Sequence, residues 1–195
     1  MADDIETVCN RMVKDANAQL EQYEKDQKKK GVEKPKCMRV FLSQYEKSKS
    51  RTPEEQAAEV LAGRSWTCNS SHMADAARHV GPKLNGKNLS DMSSLKKAVS
   101  KEDYDKFVEV YAAAMKKQGL RNYKGGTDFL PLSSDPLHLE LANSRLPEND
   151  PKVEKCRQVY AKATRVDGKP KNNDFEAAEK KWLEAYDKAH PQPGS

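Results

Sequence analysis

Apolar side chains recur at three- and four-residue steps through the first thirty residues, and this spacing constrains the fold more than any other feature. Residues three and four apart share one face of a helix. The segment therefore predicts a long amphipathic helix that ends at Gly31, with an apolar face formed by Ile5, Val8, Met12, Ala16, Leu20 and Tyr23. Such a face must be buried against other elements.

Capping residues and first-turn prolines mark the starts of three further helices, at Thr52-Pro53, Ser100 and Asp150-Pro151. Glu55 stands three residues after Thr52 and completes a capping box. Gly63 and Gly119 mark the ends of the first two of these helices, because glycine adopts the left-handed conformation that often ends a helix. A last helix is predicted over about residues 173–189.

The remaining segments show few signals of regular structure. The apolar run from Met38 to Tyr45 is interpreted as helical, and a short helix is predicted from Ser71 to Val80, closed by glycine and proline. Residues 82–94 are interpreted as a linker and residues 121–146 as a long irregular connector. With no convincing strand, the prediction is an all-α chain, an irregular helical assembly with long loops and no sheet. Residues 1–95 would be an N-terminal helical extension and residues 96–195 a helical domain.

The balance of apolar and charged residues predicts dependence on a partner. The chain is 36% hydrophobic and 33% charged, so it can close a small core but not a large one. The net charge is +5, with both signs interspersed along the chain. A dedicated nucleic-acid-binding protein usually concentrates its basic residues in one stripe, so we expect no nucleic-acid partner.

The cysteines and the N-terminal residues suggest in which cellular compartment the chain is found. The four cysteines form no CxxC pair, and we interpret them as small buried thiols in a reducing compartment. Asp3, Asp4 and Glu6 lead us to expect neither a secretory signal nor an Arg-rich, acid-poor transit peptide. No stretch approaches the 18 apolar residues that a membrane span requires.

The sequence shows no set of residues with catalytic or ligand-binding roles. The four histidines lie far apart, at positions 72, 79, 138 and 190, and no nucleophile or metal-ligand motif accompanies them. The stretch Lys124-Gly125-Gly126-Thr127 lacks the order of a phosphate-binding loop. We therefore expect no catalytic, cofactor-binding or metal-binding residues, and no cofactor.

Three ordered blocks in the second half of the chain resemble a known family. They are the residues Tyr-Ala-Ala-Ala-Met-Lys-Lys-Gln-Gly-Leu at 111–120, Arg-Leu-Pro-Glu-Asn at 145–149 and Trp-Leu-Glu-Ala-Tyr-Asp-Lys at 182–188. Their order and spacing resemble the ubiquinol–cytochrome c reductase binding-protein (subunit seven) family of mitochondrial complex III, over about residues 99–189. The chain departs from the family at Ala185, where the family has proline, and keeps Arg157 from a helix that carries several arginines.

The resemblance implies a non-catalytic accessory subunit of respiratory complex III that supports assembly and stability in mitochondrial electron transport. Such a subunit is peripheral to the inner membrane on its matrix side and packs on cytochrome b and the core subunits. Contact with phospholipid is also expected there. Residues 1–95 have no counterpart in the family and would be an added extension.

The docking residues implied by this resemblance stand before and within the last two predicted helices. They are Arg145, Leu146, Pro147, Arg157, Trp182 and Tyr186. Without the resemblance, the residues indicate only a helical adaptor or complex subunit. The alternative function is a basic helical nucleic-acid-binding or scaffold protein.

Overall fold

The computed structural model describes residues 3–44, 50–122, 137–141, 144–169, 171–172 and 175–190. The chain forms two compact units, and each is built from two separate segments. Unit 1 comprises Met1–Lys49 and Ala76–Ser144, and unit 2 comprises Ser50–Asp75 and Arg145–Ser195. The division near residue 95 that was predicted from the sequence stays a prediction.

The described residues contain six helices and five strands. The helices are α1 Ile5–Lys29, α2 Pro53–Leu61, α3 Met92–Ala98, α4 Lys101–Lys117, α5 Pro151–Arg165 and α6 Ala177–Ala189. The strands are β1 Met38–Leu42, β2 Ala77–Leu84, β3 Lys87–Asn88, β4 Leu120–Arg121 and β5 His138–Leu141. Helices α2, α5 and α6 belong to unit 2, and the other elements belong to unit 1. None of the described helices is long and apolar enough to cross a membrane.

The prediction of an all-α chain without a sheet is wrong, because the fold is mixed α/β. Unit 1 contains a five-stranded sheet in the order β1-β2-β5-β4, with β3 paired to β2. Each of these pairings is antiparallel. The sheet joins segments that are distant in the sequence, and local periodicity carries no information on such pairings.

Three segment predictions change with the sheet. The run that starts at Met38 forms strand β1 instead of a helix, and strand β2 replaces the second half of the helix predicted over residues 71–80. The linker predicted over residues 82–94 contains the end of β2, strand β3 and the start of α3. Strand β5 lies inside the predicted irregular connector. Residues 123–136, which include the stretch from Lys124 to Thr127, lie outside the described residues.

The pairing geometry explains why β2 tolerates glycine and proline in its middle. Pro82 lies opposite Val40 of β1, at a position where the backbone groups of both residues point away from the other strand. The missing N–H of proline therefore removes no bond from this ladder, and the Pro82 carbonyl accepts a hydrogen bond from Leu89. At Gly81, an added Cβ would lie 2.5 Å from Cε1 of the Phe41 ring. Glycine thus makes room for the aromatic ring opposite it.

The outer edge of β1 is covered by helix α1. The Asn17 side-chain amide donates to the carbonyl oxygen of Val40 at 2.9 Å, and its oxygen accepts from the Val40 N–H at 2.7 Å. An edge strand presents unpaired backbone groups that invite pairing with other chains. Here one side chain satisfies both groups of the central residue of β1. Further along α1, Glu24 pairs with Arg39 of the same strand.

The core of unit 1 lies among α1, α4 and one face of the sheet. The predicted apolar face of α1 is confirmed, since Ile5, Val8, Met12, Ala16 and Leu20 are all buried. Helix α4 contributes Phe107, Val110, Tyr111, Ala114 and Met115. The predicted start of α4 is also confirmed, because the side chain of Ser100 accepts a hydrogen bond from the backbone of Asp103.

Unit 2 is helical, and its core is a smaller apolar cluster between α2 and α5. The cluster comprises Ala57, Val60, Cys68, Met73, Val153, Cys156, Tyr160 and Phe175. The predicted capping box of α2 is confirmed, with Thr52 and Glu55 each bonding the backbone of the other. Helix α5 begins after the predicted Asp150 cap. Helix α6 begins at Ala177, a few residues later than predicted.

Replacement of Asn17 by alanine should destabilise unit 1. The change leaves the N–H and the carbonyl of Val40 without their partners, and Val40 is only 3% exposed. Unsatisfied buried backbone groups cost about 1–3 kcal/mol, and we expect a loss of that order in urea unfolding. Asn10→Ala is the matched control, because Asn10 is exposed on the same helix. Equal losses in the two variants would contradict the role assigned to Asn17.

Candidate functional site

Two histidines face each other across neighbouring strands of the sheet in unit 1. His79 of β2 lies directly opposite His138 of β5. The carbonyl of His79 bonds to Ser43 beyond β1, so it points away from β5 and the two histidines form a non-hydrogen-bonded pair. Side chains approach most closely at such pairs. We call His79 and His138 the histidine pair.

The two imidazole rings of the histidine pair meet edge to face. Their centroids lie 5.2 Å apart at an interplanar angle of 76°. A nitrogen of one ring lies within 4.8 Å of a nitrogen of the other. His138 is buried, with 5% of its surface exposed, and His79 is half-buried.

A carboxylate stands beside the pair on the same face of the sheet. Glu140 is two residues after His138 on β5, and its Oε2 lies 3.3 Å from Nε2 of that ring. Its other oxygen accepts a hydrogen bond from Nε of Arg121 at 3.0 Å. Arg121 comes from β4, directly opposite Glu140. The buried carboxylate is therefore held from both sides, by a guanidinium and by an imidazole.

This arrangement fixes which nitrogen of His138 carries the proton. An ionised carboxylate only accepts hydrogen bonds, so a hydrogen bond to Glu140 requires the tautomer in which Nε2 of His138 carries a proton. Histidines that bind metal ions often donate one ring nitrogen to a carboxylate in the same way.

No sequence motif marks these residues as a site. The histidines lie 59 positions apart, and only the pairing of β2 with β5 brings them together. The alternation His-Leu-Glu-Leu over residues 138–141 is the period-two pattern of a half-buried strand. It was the one local signal that could have placed His138 and Glu140 on a common face.

Unit 2 contains a group of charged residues, the buried Arg157 and Glu179 and the exposed Glu148, which we call the ionic cluster. The Arg157 guanidinium donates to Glu179 at 2.8 and 3.2 Å and to the Glu148 carboxylate at 2.5 Å. Glu179 also accepts from the Thr67 hydroxyl and from the backbone N–H of Cys68. It is 2% exposed and is the buried residue of α6. The Arg157–Glu179 ion pair thus joins α5 to α6, and the hydrogen bonds from Thr67 and Cys68 join α6 to the segment that follows α2.

Acid should weaken the ionic cluster through Glu148. Burial alone would raise the pKa of Glu148, but hydrogen bonds from Arg157 and Asn69 outweigh it and hold the pKa below the usual 4.5. A pKa that is lower in the folded state means that the ionised group stabilises the fold above the unfolded value. That contribution is lost as pH falls through the folded pKa.

Cys68 and Cys156 lie together in the apolar cluster of unit 2. Hydrogen bonding with Cys156 and burial both raise the pKa of the Cys68 thiol. Burial also raises the pKa of Cys9, in unit 1, to about 12. Because the thiolate is the reactive form, the raised pKa values disfavour reaction of Cys68 and Cys9. The prediction of buried cysteines holds for these three, whereas Cys37 is half-buried.

The docking residues before α5 have contacts within unit 2. Arg145 makes two hydrogen bonds to the Glu176 carboxylate, at 2.7 and 3.0 Å. Leu146 is half-buried against the apolar cluster, and the carbonyl of Pro147 accepts a hydrogen bond from Asp150, the cap of α5. Arg157 is turned inward to the ionic cluster. Docking by these residues stays a prediction, and their observed contacts shape the start of α5.

The two docking residues of α6 form an aromatic row. Trp182 stacks on Tyr186 with centroids 5.1 Å apart, and Tyr186 stacks on His190 at 4.3 Å. The Trp182 indole N–H donates to Glu154 of α5 at 2.9 Å. The guanidinium of Arg165 lies 5.9 Å from the centre of the Tyr186 ring. Trp182 and Tyr186 remain partly accessible, and their role in docking stays a prediction.

A scan against models of protein families, a search of curated proteins and a search of solved structures each return no match for this chain. Proposals about function therefore depend on the residues and on their geometry.

Replacement of Glu179 by alanine should destabilise unit 2 strongly. The change leaves a guanidinium that is 6% exposed without its principal carboxylate, and breaking a buried ion pair costs about 3–5 kcal/mol. Glu184→Ala is the matched control, because Glu184 is exposed on the same helix. Urea unfolding of both variants measures the difference. A Glu179 variant as stable as the control would contradict a structural role for the ionic cluster.

Proposed function

We propose that this chain is a non-catalytic accessory subunit that binds a larger assembly through helix α6 of unit 2. The observation that carries the proposal is the way α6 is packed. Of its residues, Glu179 alone is buried, whereas Trp182, Leu183 and Tyr186 are half-buried and Ala178 is exposed. A helix that keeps its large apolar side chains near the surface has apolar area left to bury against a partner.

The aromatic row supports a docking role for this helix. Tryptophan and tyrosine are enriched at the centres of protein interfaces, because each buries a large area for few rotatable bonds. Stacking holds Trp182 and Tyr186 in place, and the Trp182–Glu154 hydrogen bond ties the row to α5. A surface fixed before binding loses less conformational entropy on association.

The assembly that we propose is ubiquinol–cytochrome c reductase of the mitochondrial inner membrane. The support is the resemblance of the three ordered blocks to the subunit-seven family. The second block precedes α5, and the third lies in α6. The proposed partners are cytochrome b and the core subunits on the matrix side, with contact to phospholipid. The sheet of unit 1 has no place in the all-helical fold that the resemblance implied, so the proposal depends on unit 2.

A native gel of mildly solubilised mitochondria, with the chain located by mass spectrometry, tests the assembly. Migration with cytochrome b and the Rieske protein is the expected result. Migration elsewhere would reject complex III. Binding of RNA or DNA that weakens steeply with salt would then favour the alternative function.

Trp182→Ala should lower the amount of chain in the assembled complex. Loss of a packed tryptophan costs on the order of 3–5 kcal/mol, and here it also removes the partner on which Tyr186 stacks. Trp182→Phe keeps an aromatic ring and is the matched variant, which we expect to assemble more fully. Thermal unfolding of both isolated variants separates failed docking from failed folding. Normal assembly of a folded Trp182→Ala variant would contradict the docking role.

A further inference from the structure

We propose that one end of unit 1 is a basic surface that binds the headgroups of an anionic phospholipid bilayer. We call this surface the basic tip, and it comprises residues 28–37 and 83–88. Its charged residues are Lys28, Lys29, Lys30, Glu33, Lys34, Lys36, Lys83 and Lys87. The inference deepens the phospholipid contact within the proposed function and rests on the membrane setting named there.

The fold brings the two segments of the basic tip together. Residues 28–37 lead from α1 into β1, and residues 83–88 contain the turn between β2 and β3. The Cys37 N–H donates to the side-chain oxygen of Asn85 at 3.1 Å. In return, the Asn85 N–H donates to the Cys37 carbonyl at 2.8 Å. Lysines from both segments therefore lie at the same end of unit 1.

Positive charge is concentrated at the basic tip. Its seven lysines and one glutamate give a net charge of +6, whereas the whole chain carries +5. Lys28 and Lys29 form ion pairs with Glu24 and Asp26 of the same helix. Exposed ion pairs are weak, so these two lysines can turn to phosphate groups. Clusters of about four to eight basic residues are typical of surfaces that bind anionic lipid.

The end of α1 holds an apolar side chain among these lysines. The Val32 N–H donates to the Gln27 carbonyl at 3.1 Å, and the Gly31 N–H donates to the carbonyl of Lys28. These two bonds form the Schellman motif, in which Gly31 adopts a φ of +87°. Val32 is 41% exposed and is one of two large apolar side chains exposed in the described residues. An apolar side chain surrounded by lysines suits the boundary between headgroups and acyl chains.

The composition of the basic tip favours lipid over nucleic acid. Its basic residues are all lysine, and its two segments contain no arginine and no aromatic residue. Surfaces that bind nucleic acid generally use arginine forks or aromatic rings that stack on bases. A lysine places a charged group at the phosphate level while its aliphatic stem lies along apolar surface. The headgroups of an anionic bilayer therefore fit this surface better.

Cosedimentation of the full-length chain with vesicles tests the proposal. We expect binding to vesicles of phosphatidylcholine mixed with phosphatidylglycerol, and little binding to phosphatidylcholine alone. Binding should weaken as salt screens the charges. Absence of binding to the anionic vesicles overturns the proposal, and binding of duplex DNA or RNA instead would assign the basic tip to nucleic acid. The vesicles contain no complex III, so this test and the native gel can fail separately.

A combined variant locates the contact at the basic tip. Lys34→Gln, Lys36→Gln and Lys87→Gln remove three exposed charges. Each lysine near an anionic bilayer strengthens binding by about fivefold, so we expect the combined variant to bind on the order of a hundredfold more weakly. Circular dichroism and thermal unfolding check that the variant is folded.

The matched control removes three exposed lysines elsewhere in unit 1, by Lys14→Gln, Lys116→Gln and Lys117→Gln. Lys14 lies on the same helix as Lys28, about 20 Å from it, and Lys117 pairs with the neighbouring Asp15. The control changes the net charge equally and should bind as the natural chain does. Equal weakening in the two combined variants would mean that binding follows net charge alone, which overturns the proposal.

Val32→Trp reports contact with the membrane directly. Tryptophan favours the interface between membrane and water, so we expect tighter binding and a blue shift of the fluorescence when anionic vesicles are added. The natural chain, whose two tryptophans both belong to unit 2, sets the baseline. Binding of the Val32→Trp chain without an added shift would place the membrane contact elsewhere and overturn the proposal.

Discussion

The side-chain amide of Asn17 takes the place of a neighbouring strand beside β1, and the arrangement of unit 1 depends on this contact. The amide pairs with both backbone groups of Val40, as a peptide group of another strand would. Because it engages a single residue, a slip of β1 by one position would break both bonds and turn Val40 out of the core. The same helix supplies the apolar face that closes the core. Helix α1 therefore protects the edge of the sheet and closes the core of unit 1 at the same time.

Unit 2 is stabilised in a different way, since its smaller apolar cluster is accompanied by the ionic cluster. Buried ion pairs contribute less net stability than apolar packing of the same volume, because the charges must be removed from water. Their geometry is more demanding, however, and Glu179 is satisfied only where Arg157, Thr67 and Cys68 all reach it. We infer that the ionic cluster selects the orientation of α6. That orientation carries Trp182 and Tyr186 to their partly accessible positions.

Helices α1, α2, α4, α5 and α6 were predictable from sequence, whereas α3 and the sheet were not, for physical reasons that particular residues illustrate. The Thr52 capping box and the Ser100 cap are local, and local hydrogen bonds can be inferred from neighbouring residues. Strand β2 contains Gly81 and Pro82, which are acceptable only because of what lies opposite them on β1. The histidine pair depends on the same kind of distant pairing, so the candidate site was missed together with the sheet. The docking residues were identified through resemblance, and the structure assigns them contacts within unit 2.

Both units are discontinuous in the sequence, and this has a consequence for the order of events during synthesis. Helix α1 and the adjoining β1 emerge from the ribosome well before α4 and β5, so the part of the apolar face of α1 that packs on those later elements stays exposed until they are made. Contacts between segments far apart in the sequence slow folding, and exposed apolar surface promotes aggregation meanwhile. The first segment of unit 2 must likewise wait until Arg145 and the residues beyond it have been made. We therefore expect nascent chains that end before residue 137 to depend on chaperones, whereas chains that include both returning segments should be released from them.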